Sequence, residues 1–377
     1  MDVLVVAGEA SGDQHAADVV AALKKLRPEL RFFGMGGPKL AAQGVELVHG
    51  AHEISVMGIV EVLPKVPRIW QVMNDLERAA KERKPAVALL IDVPDFNLRL
   101  AKRLKAIGVP IAYYVAPMAW AWRESRTKTI AERVDKLMCI LPFEEEFFRT
   151  RGVNATYVGN PTLDQVPPQA PPSEFRKALG LEVEGPVFAV LPGSRRSEIS
   201  RLGSTLAEVA AKVVAQKPGT RVVVPVAPGL PREFVEAPFV AAGVKPILID
   251  GRAAEVVGAC DVALVASGTA TLEAGLMRRP LVAVYRVNAL SYAVGKMLVR
   301  IPFFCLVNLL VGKKVVPELL QGDMTVDRIV AELEPLWSGP AREECLSGLD
   351  LLREKLGSGG AATRVAQTVL QLTKQST

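Results

Sequence analysis

GNPTLDQVPPQAPP, residues 159–172, decides how this chain of 377 residues is divided. Five of its residues are proline (161, 167, 168, 171 and 172). Proline fixes φ and has no backbone donor, so the stretch is expected to form neither a helix nor a central strand. It reads as the linker between two domains. At roughly 150 residues per domain, the length also suggests two.

Working outward from this break, each side alternates strand-like and helical runs. Strands are expected before it at Val3–Ala7, Val87–Ile91, Ile111–Val115, Lys136–Ile140 and Ala155–Val158. Helical patterns fall at Gln14–Leu26, Pro67–Arg83 and Leu98–Ile107. After it, strands are expected at Val187–Leu191, Arg221–Pro225, Pro246–Ile249, Val262–Val265 and Leu281–Val284. Helices are expected at Arg196–Gln216, Thr269–Met277 and Leu290–Val299, with an all-helical tail from Thr325 to Gln375. Such alternation predicts the α/β class, with parallel sheets covered by helices on both faces. The expected architecture is two Rossmann-like domains facing a cleft. Its parts are residues 1–165, residues 173–325, and a tail of residues 326–377 that packs back on the first domain or on a partner subunit.

Composition narrows the function. The chain is 50% hydrophobic and 23% charged, as expected of a globular protein with a large core. Its net charge of +6 suits phosphorylated small molecules or an anionic surface. No Lys/Arg run is interleaved with aromatics, so nucleic acid is not expected as a partner. Cys139, Cys260, Cys305 and Cys345 are far apart and read as reduced, buried thiols. His49 and His52 lack the spacing of a zinc site, and no metal or cofactor is expected. The opening MDVLVVAGEASGD has no basic stretch or cleavage site, so no signal peptide is expected. The longest apolar run, Ile301–Gly312, is short of the about 20 residues that span a bilayer. A cytoplasmic chain, peripheral to a membrane at most, is expected.

In open parallel sheets, ligands bind where loops leave the carboxyl ends of strands, and four such loops stand out. Gly8–Asp13 follows the first strand. Its acidic residues suit acceptor hydroxyls better than phosphate, with Glu9 and Ser11 as candidates and Asp13 read as a helix cap. Asp92–Asn97 follows a wholly apolar strand. Asp92 stands at its end, where partial desolvation makes a carboxylate a better base. Asn97 is placed to orient a hydroxyl, and Asp95 reads as a cap. Leu191–Glu198 (LPGSRRSE) opens the second half. Gly193, Ser194 and Arg195 make a phosphate cradle that is not an ATPase P-loop. Ser267–Glu273 repeats the pattern, with Ser267, Gly268 and Thr269 on the anion and Glu273 on ribose hydroxyls. Two cradles suit a nucleoside diphosphate. Without an Asp-x-Asp, arginine and helix N-termini would stabilise its leaving charge. Ile59–Met73 and Tyr285–Val316 mix basic and apolar residues and read as membrane-facing or as ordinary core.

Together these motifs resemble the lipid-A-disaccharide synthase family. The resemblance rests on AGEASGD (7–13), VMGIVEVL (56–63), IDVPDFN (91–97), YVAPMAWAWR (114–123), LPFE (141–144), LPGSR (191–195), SGTATLE (267–273) and NLLVGKKVVPELLQ (308–321). It implies the GT-B fold and metal-independent, inverting transfer of 2,3-diacylglucosamine from UDP to 2,3-diacylglucosamine 1-phosphate. It implies that Asp92 deprotonates the acceptor 6-hydroxyl, that Arg195, Thr269 and Glu273 hold UDP, and that Asn308 lies close to them. It also implies work at the inner membrane surface and a homodimer through the carboxy-terminal helices. The sequence departs from the family pattern at Asn160, Val307 and Ala116, which replace histidine, proline and serine. Two other readings compete: a UDP-N-acetylglucosamine epimerase, and a non-catalytic binder of nucleotide sugars or lipid. A Ser–His–Asp hydrolase is disfavoured, because Ser11 is not in G-x-S-x-G.

Overall fold

Unbroken apolar runs, rather than alternating ones, mark strands covered on both faces. The computed structural model describes residues 1–54, 66–181, 185–287 and 301–375. The motif at 56–63 and the helix expected at Leu290–Val299 lie outside them. Strands β1 (Asp2–Ala7), β2 (Arg31–Gly36), β3 (Glu46–Gly50), β4 (Val87–Ile91), β5 (Ile111–Tyr114), β6 (Lys136–Cys139) and β7 (Ala155–Tyr157) form one sheet. Its order is β3-β2-β1-β4-β5-β6-β7. A second sheet contains β8 (Val187–Leu191), β9 (Arg221–Val226), β10 (Ile247–Asp250), β11 (Val262–Ala266), β12 (Leu281–Tyr285) and β13 (Glu318–Leu320). Its order is β10-β9-β8-β11-β12-β13. The pairings are parallel in both sheets.

Alternate residues of β1 feed two separate cores. Leu4 and Val6 join Phe33, Leu76, Leu90 and Leu104 on one face. Val3, Val5 and Ala7 join Val19, Leu23, Leu89 and Ile91 on the other. Both cores are closed by helices, as a parallel sheet requires. The α/β class and the two sheets are as expected, but β2, β3 and β13 were not foreseen. β2 hides behind two glycines. At Gly34 a Cβ would lie 2.0 Å from the Val5 carbonyl oxygen, so only glycine fits beside β1 there. β3 and β13 are short edge strands.

The chain divides into two compact units, Met1–Pro161 with Ser358–Thr377, and Thr162–Gly357. The proline-rich stretch is not wholly irregular. Thr162–Gln165 makes one helical turn, allowed because Pro161 precedes it and Pro167 follows it. The rest of the stretch is tied to the second unit. Gln169 donates to Leu276 O at 2.9 Å and Arg279 to Ala170 O at 3.0 Å. The tail after Thr325 is shared. Val326–Leu333 and Pro340–Leu356 lie in the second unit, where Asp350 pairs with Arg278 at 2.7 Å. Ala361–Gln375 returns to the first, burying Val365, Ala366 and Val369 in the core beside Val19 and Leu23.

Candidate active site

Strand order fixes which loops meet. In the first sheet the direction of winding reverses between β1 and β4, which pair in register with Ala7 opposite Ile91. Loops leaving such neighbours splay apart and leave a crevice at the switch point. Gly8–Glu9 and Asp92 are therefore adjacent. Gly8 has no room for a side chain, since a Cβ would meet Ile54 and Val93 at 2.8 Å. Glu9 is exposed at the start of the helix Ala10–Leu26, and Ser11 is exposed on its first turn.

Asp92 and Val93 are both left-handed, with φ of 53° and 43°. For residues with a Cβ this costs about 1–2 kcal/mol each, so their surroundings must hold them there. The Asp92 N–H donates to Tyr114 O at 3.1 Å. Its carbonyl accepts from Asn97 Nδ2 at 2.7 Å and from the Tyr113 hydroxyl at 2.5 Å. The carboxylate is half-buried, and its pKa is raised, first by burial and then by the negative charge of Glu9, against an opposing hydrogen bond from the Val93 N–H. A carboxylate so placed is a stronger base than one in water.

Asn97 and Asp13 are both held by bonds within this unit. Asn97 is fully buried, and its amide donates to Ile91 O at 3.0 Å as well as to Asp92 O, which ties it to the strand end. Asp13 caps a helix, but not its own. It accepts from the N–H groups of Gly37, Lys39 and Leu40 at 2.7, 3.0 and 3.2 Å, at the start of the helix Pro38–Ala42. Asn160 is buried and donates to Ile140 O at 3.1 Å. Glu144, which sequence reasoning passed over, is also buried. It accepts from Trp120 Nε1 at 2.9 Å and from the N–H groups of Leu141 and Ile140 at 3.1 and 3.2 Å. Burial outweighs these bonds and raises its pKa to about 7.

The second sheet repeats the geometry. β8 and β11 meet at its switch point with Leu191 opposite Val265, so LPGSR and SGT are neighbours. Gly193 has φ of +107°, a glycine conformation. The turn aims the N–H groups of Ser194 and Arg195 at one point, where Glu198 Oε2 accepts both, at 2.9 and 3.2 Å. The Arg195 guanidinium lies 3.3 Å from the other carboxylate oxygen. A carboxylate oxygen therefore sits on both N–H groups of the turn. Glu198 was missed as a site residue, though an acidic residue three positions after a helix cap is a recognisable signal. In the second loop Gly268 and Thr269 are exposed and Ser267 is half-buried at the start of the helix Thr269–Leu276. Glu273 is half-buried one turn in, and burial raises its pKa.

Asn308 is tied into its own loop. It is fully buried, accepts from the N–H groups of Val315 and Val316 at 2.7 and 3.0 Å, and donates to Val316 O at 2.8 Å. These bonds use its amide in closing the turn after the helix Leu306–Val311, so it shapes that loop. No group of His, Cys, Asp or Glu among the described residues is placed to hold a metal ion. No helix among them is long and apolar enough to cross a membrane.

A family model described as lipid-A-disaccharide synthetase matches residues 3–349. The lipid-A-disaccharide synthase of Myxococcus xanthus is 58% identical over 98% of this chain and 97% of its own length. That of an Anaeromyxobacter species is 51% identical over 98% and 96%. Among solved structures, the UDP-GlcNAc 2-epimerase of Neisseria meningitidis bound to UDP-GlcNAc superposes with a TM-score of 0.64 at 12% identity, over 98% of this chain and 100% of that one. The glycotransferase of kitacinnamycin gives 0.62 at 17% identity, over 98% of each. At these identities the structures speak for the fold alone, which is the GT-B one.

Proposed function

The chain belongs to the lipid-A-disaccharide synthetase family, and on that premise we propose how its residues divide the work. It is a glycosyltransferase that joins UDP-2,3-diacylglucosamine to 2,3-diacylglucosamine 1-phosphate and releases UDP. The epimerase alternative shares the fold without the sequence.

Asp92 takes the proton from the acceptor 6-hydroxyl as its oxygen attacks the anomeric carbon. The bond from that carbon to the UDP oxygen breaks, the electron pair leaves with UDP, and the configuration inverts. Glu9 keeps the base strong, and Ser11 lines the acceptor side. Ser194 and Arg195 with Ser267, Gly268 and Thr269 receive the diphosphate, and Glu273 receives the ribose. One observation carries this reading: a carboxylate at a switch point, in a strained backbone held by three hydrogen bonds, whose pKa is raised by burial and by a second carboxylate. Asp92→Asn is expected to bind UDP with wild-type affinity in a calorimetric titration and to form no disaccharide. Normal turnover by that variant would sink the role.

Two further parts of the reading concern surroundings. The enzyme works at the inner membrane surface, which is supported by exposed Trp70, Met118 and Trp122 beside Arg103 and Arg123. It pairs through its carboxy-terminal helices. Supporting this, Ala361–Gln375 follows a Gly-Ser-Gly-Gly joint at 357–360, whose flexibility would let the helix dock on a second copy instead.

A further inference from the structure

Beyond Asp92 the first unit carries a cavity of about 370 Å³. It begins at Pro94, two residues past the base, at the N-terminus of the helix Pro94–Ala106. Arg99, Arg123, Arg126 and Arg133 line it, and Asp95 is its one carboxylate. Arg126, mostly buried, donates to Asp95 at 2.6 Å, and Arg123 lies 3.7 Å from the same oxygen. Arg133 donates to Leu98 O at 3.1 Å. Arg99 is exposed and makes no ion pair or hydrogen bond among the described residues. Four guanidinium groups thus face one carboxylate, next to the positive end of a helix.

Two observations give this charge a purpose. The cavity is beside the chemistry: the buried Tyr113 hydroxyl, bonded to the Asp92 carbonyl, feels the charges of Asp92, Arg126 and Asp95 together. Trp122, exposed, lies under Arg123 at 4.1 Å and 5.9 Å from Arg126, and Met118 is exposed nearby in sequence. A basic cavity with an exposed aromatic ring stacked on its arginines fits an amphiphile that carries a phosphate.

We propose that this cavity binds the phosphate monoester of the acceptor sugar, with Arg99 and Arg123 as its mobile ligands and Arg126 held in place by Asp95. The proposal rests on the transferase reading above. Arginine suits it because its planar fork matches phosphate oxygens two at a time. Such contacts are the same in ground and transition states, so they act on KM and leave kcat alone.

The test compares wild type with Arg99→Ala/Arg123→Ala on two acceptors in neutral detergent micelles, one phosphorylated and one with the phosphate removed. The expected result is a KM for the phosphorylated acceptor raised on the order of tenfold or more, with unchanged kcat. On the dephosphorylated acceptor the two enzymes should match. Inorganic phosphate should compete with the acceptor in wild type and not in the variant. Equal losses on both acceptors, or none on the phosphorylated one, would overturn the proposal. So would a variant that keeps its micelle KM but no longer binds phosphatidylglycerol vesicles, since the cavity would then take a lipid headgroup. A thermal melt that matches wild type, with unchanged kcat on the dephosphorylated acceptor, checks that the variant's first unit is folded. If wild type made no disaccharide from either acceptor, the transferase reading itself would fall. Direct titration of the acceptor phosphate against both proteins would still decide the cavity.

Discussion

A base acts only when deprotonated, and burial together with Glu9 keeps the proton on Asp92 to a higher pH than an ordinary aspartate would. The acidic limb of the kcat profile is therefore expected above the usual aspartate range. Glu9→Gln removes the second cause, so its limb should move to lower pH; an unmoved limb would mean that Glu9 acts otherwise. The same shift weighs on stability. A carboxyl whose folded pKa is raised binds its proton more tightly folded than unfolded. Its cost appears as pH rises through the window between the two values and is relieved as pH falls. The place of Asp92 at a strand end was legible, because the unbroken apolar run Val87–Ile91 shows where the strand stops. The backbone beneath it was not. A left-handed Asp-Val pair runs against the preference of a β-branched residue, and only Tyr113 and Asn97, separated from it in sequence, make it tenable. The internal bonds of Asn97 and Asn308 were not legible for one reason: an asparagine in a loop motif looks the same whether its amide faces a ligand or a carbonyl.

Strand–turn–helix elements carry the next level. LPGSR was readable as a strand–helix turn because the glycine and the helix start are local signals. Its present occupant was not, since Glu198 looks like any first-turn acid until its carboxylate is found on the Ser194 and Arg195 N–H groups. A diphosphate that takes those donors must displace it. Glu198→Gln keeps the side-chain shape and removes the competing charge, so UDP should bind about three- to tenfold tighter, the worth of a charged hydrogen bond traded for a neutral one. Calorimetric titration of UDP measures this. Weaker binding would show that the carboxylate serves to hold the turn in shape. Elements with their own periodicity, such as Arg196–Gln216, match the expected bounds. Edge strands β3 and β13, which have little apolar pattern of their own, do not announce themselves.

On the scale of the whole molecule, the tail tells where one unit ends. Composition could show that residues after Thr325 are helical, but not that Gly357 divides them, because both parts are amphipathic and only packing chooses their partner. Deleting residues 358–377 removes Val365 and Val369 from the first unit's core, each worth roughly 1.5–3 kcal/mol, against a net stability of about 5–15 kcal/mol. The truncated chain is expected to lose the first unit's melting transition and all transfer, while UDP binding by the second unit persists. A melt identical to that of the full chain would contradict this. The returning helix also sets an order of events during synthesis. The unit made first lacks part of its core until the last residues leave the ribosome. At about 5–20 residues per second, some 200 residues of the second unit delay that moment by roughly 10–40 s. Through that interval the oldest part of the chain has an open apolar face, and it is the part most in need of a chaperone.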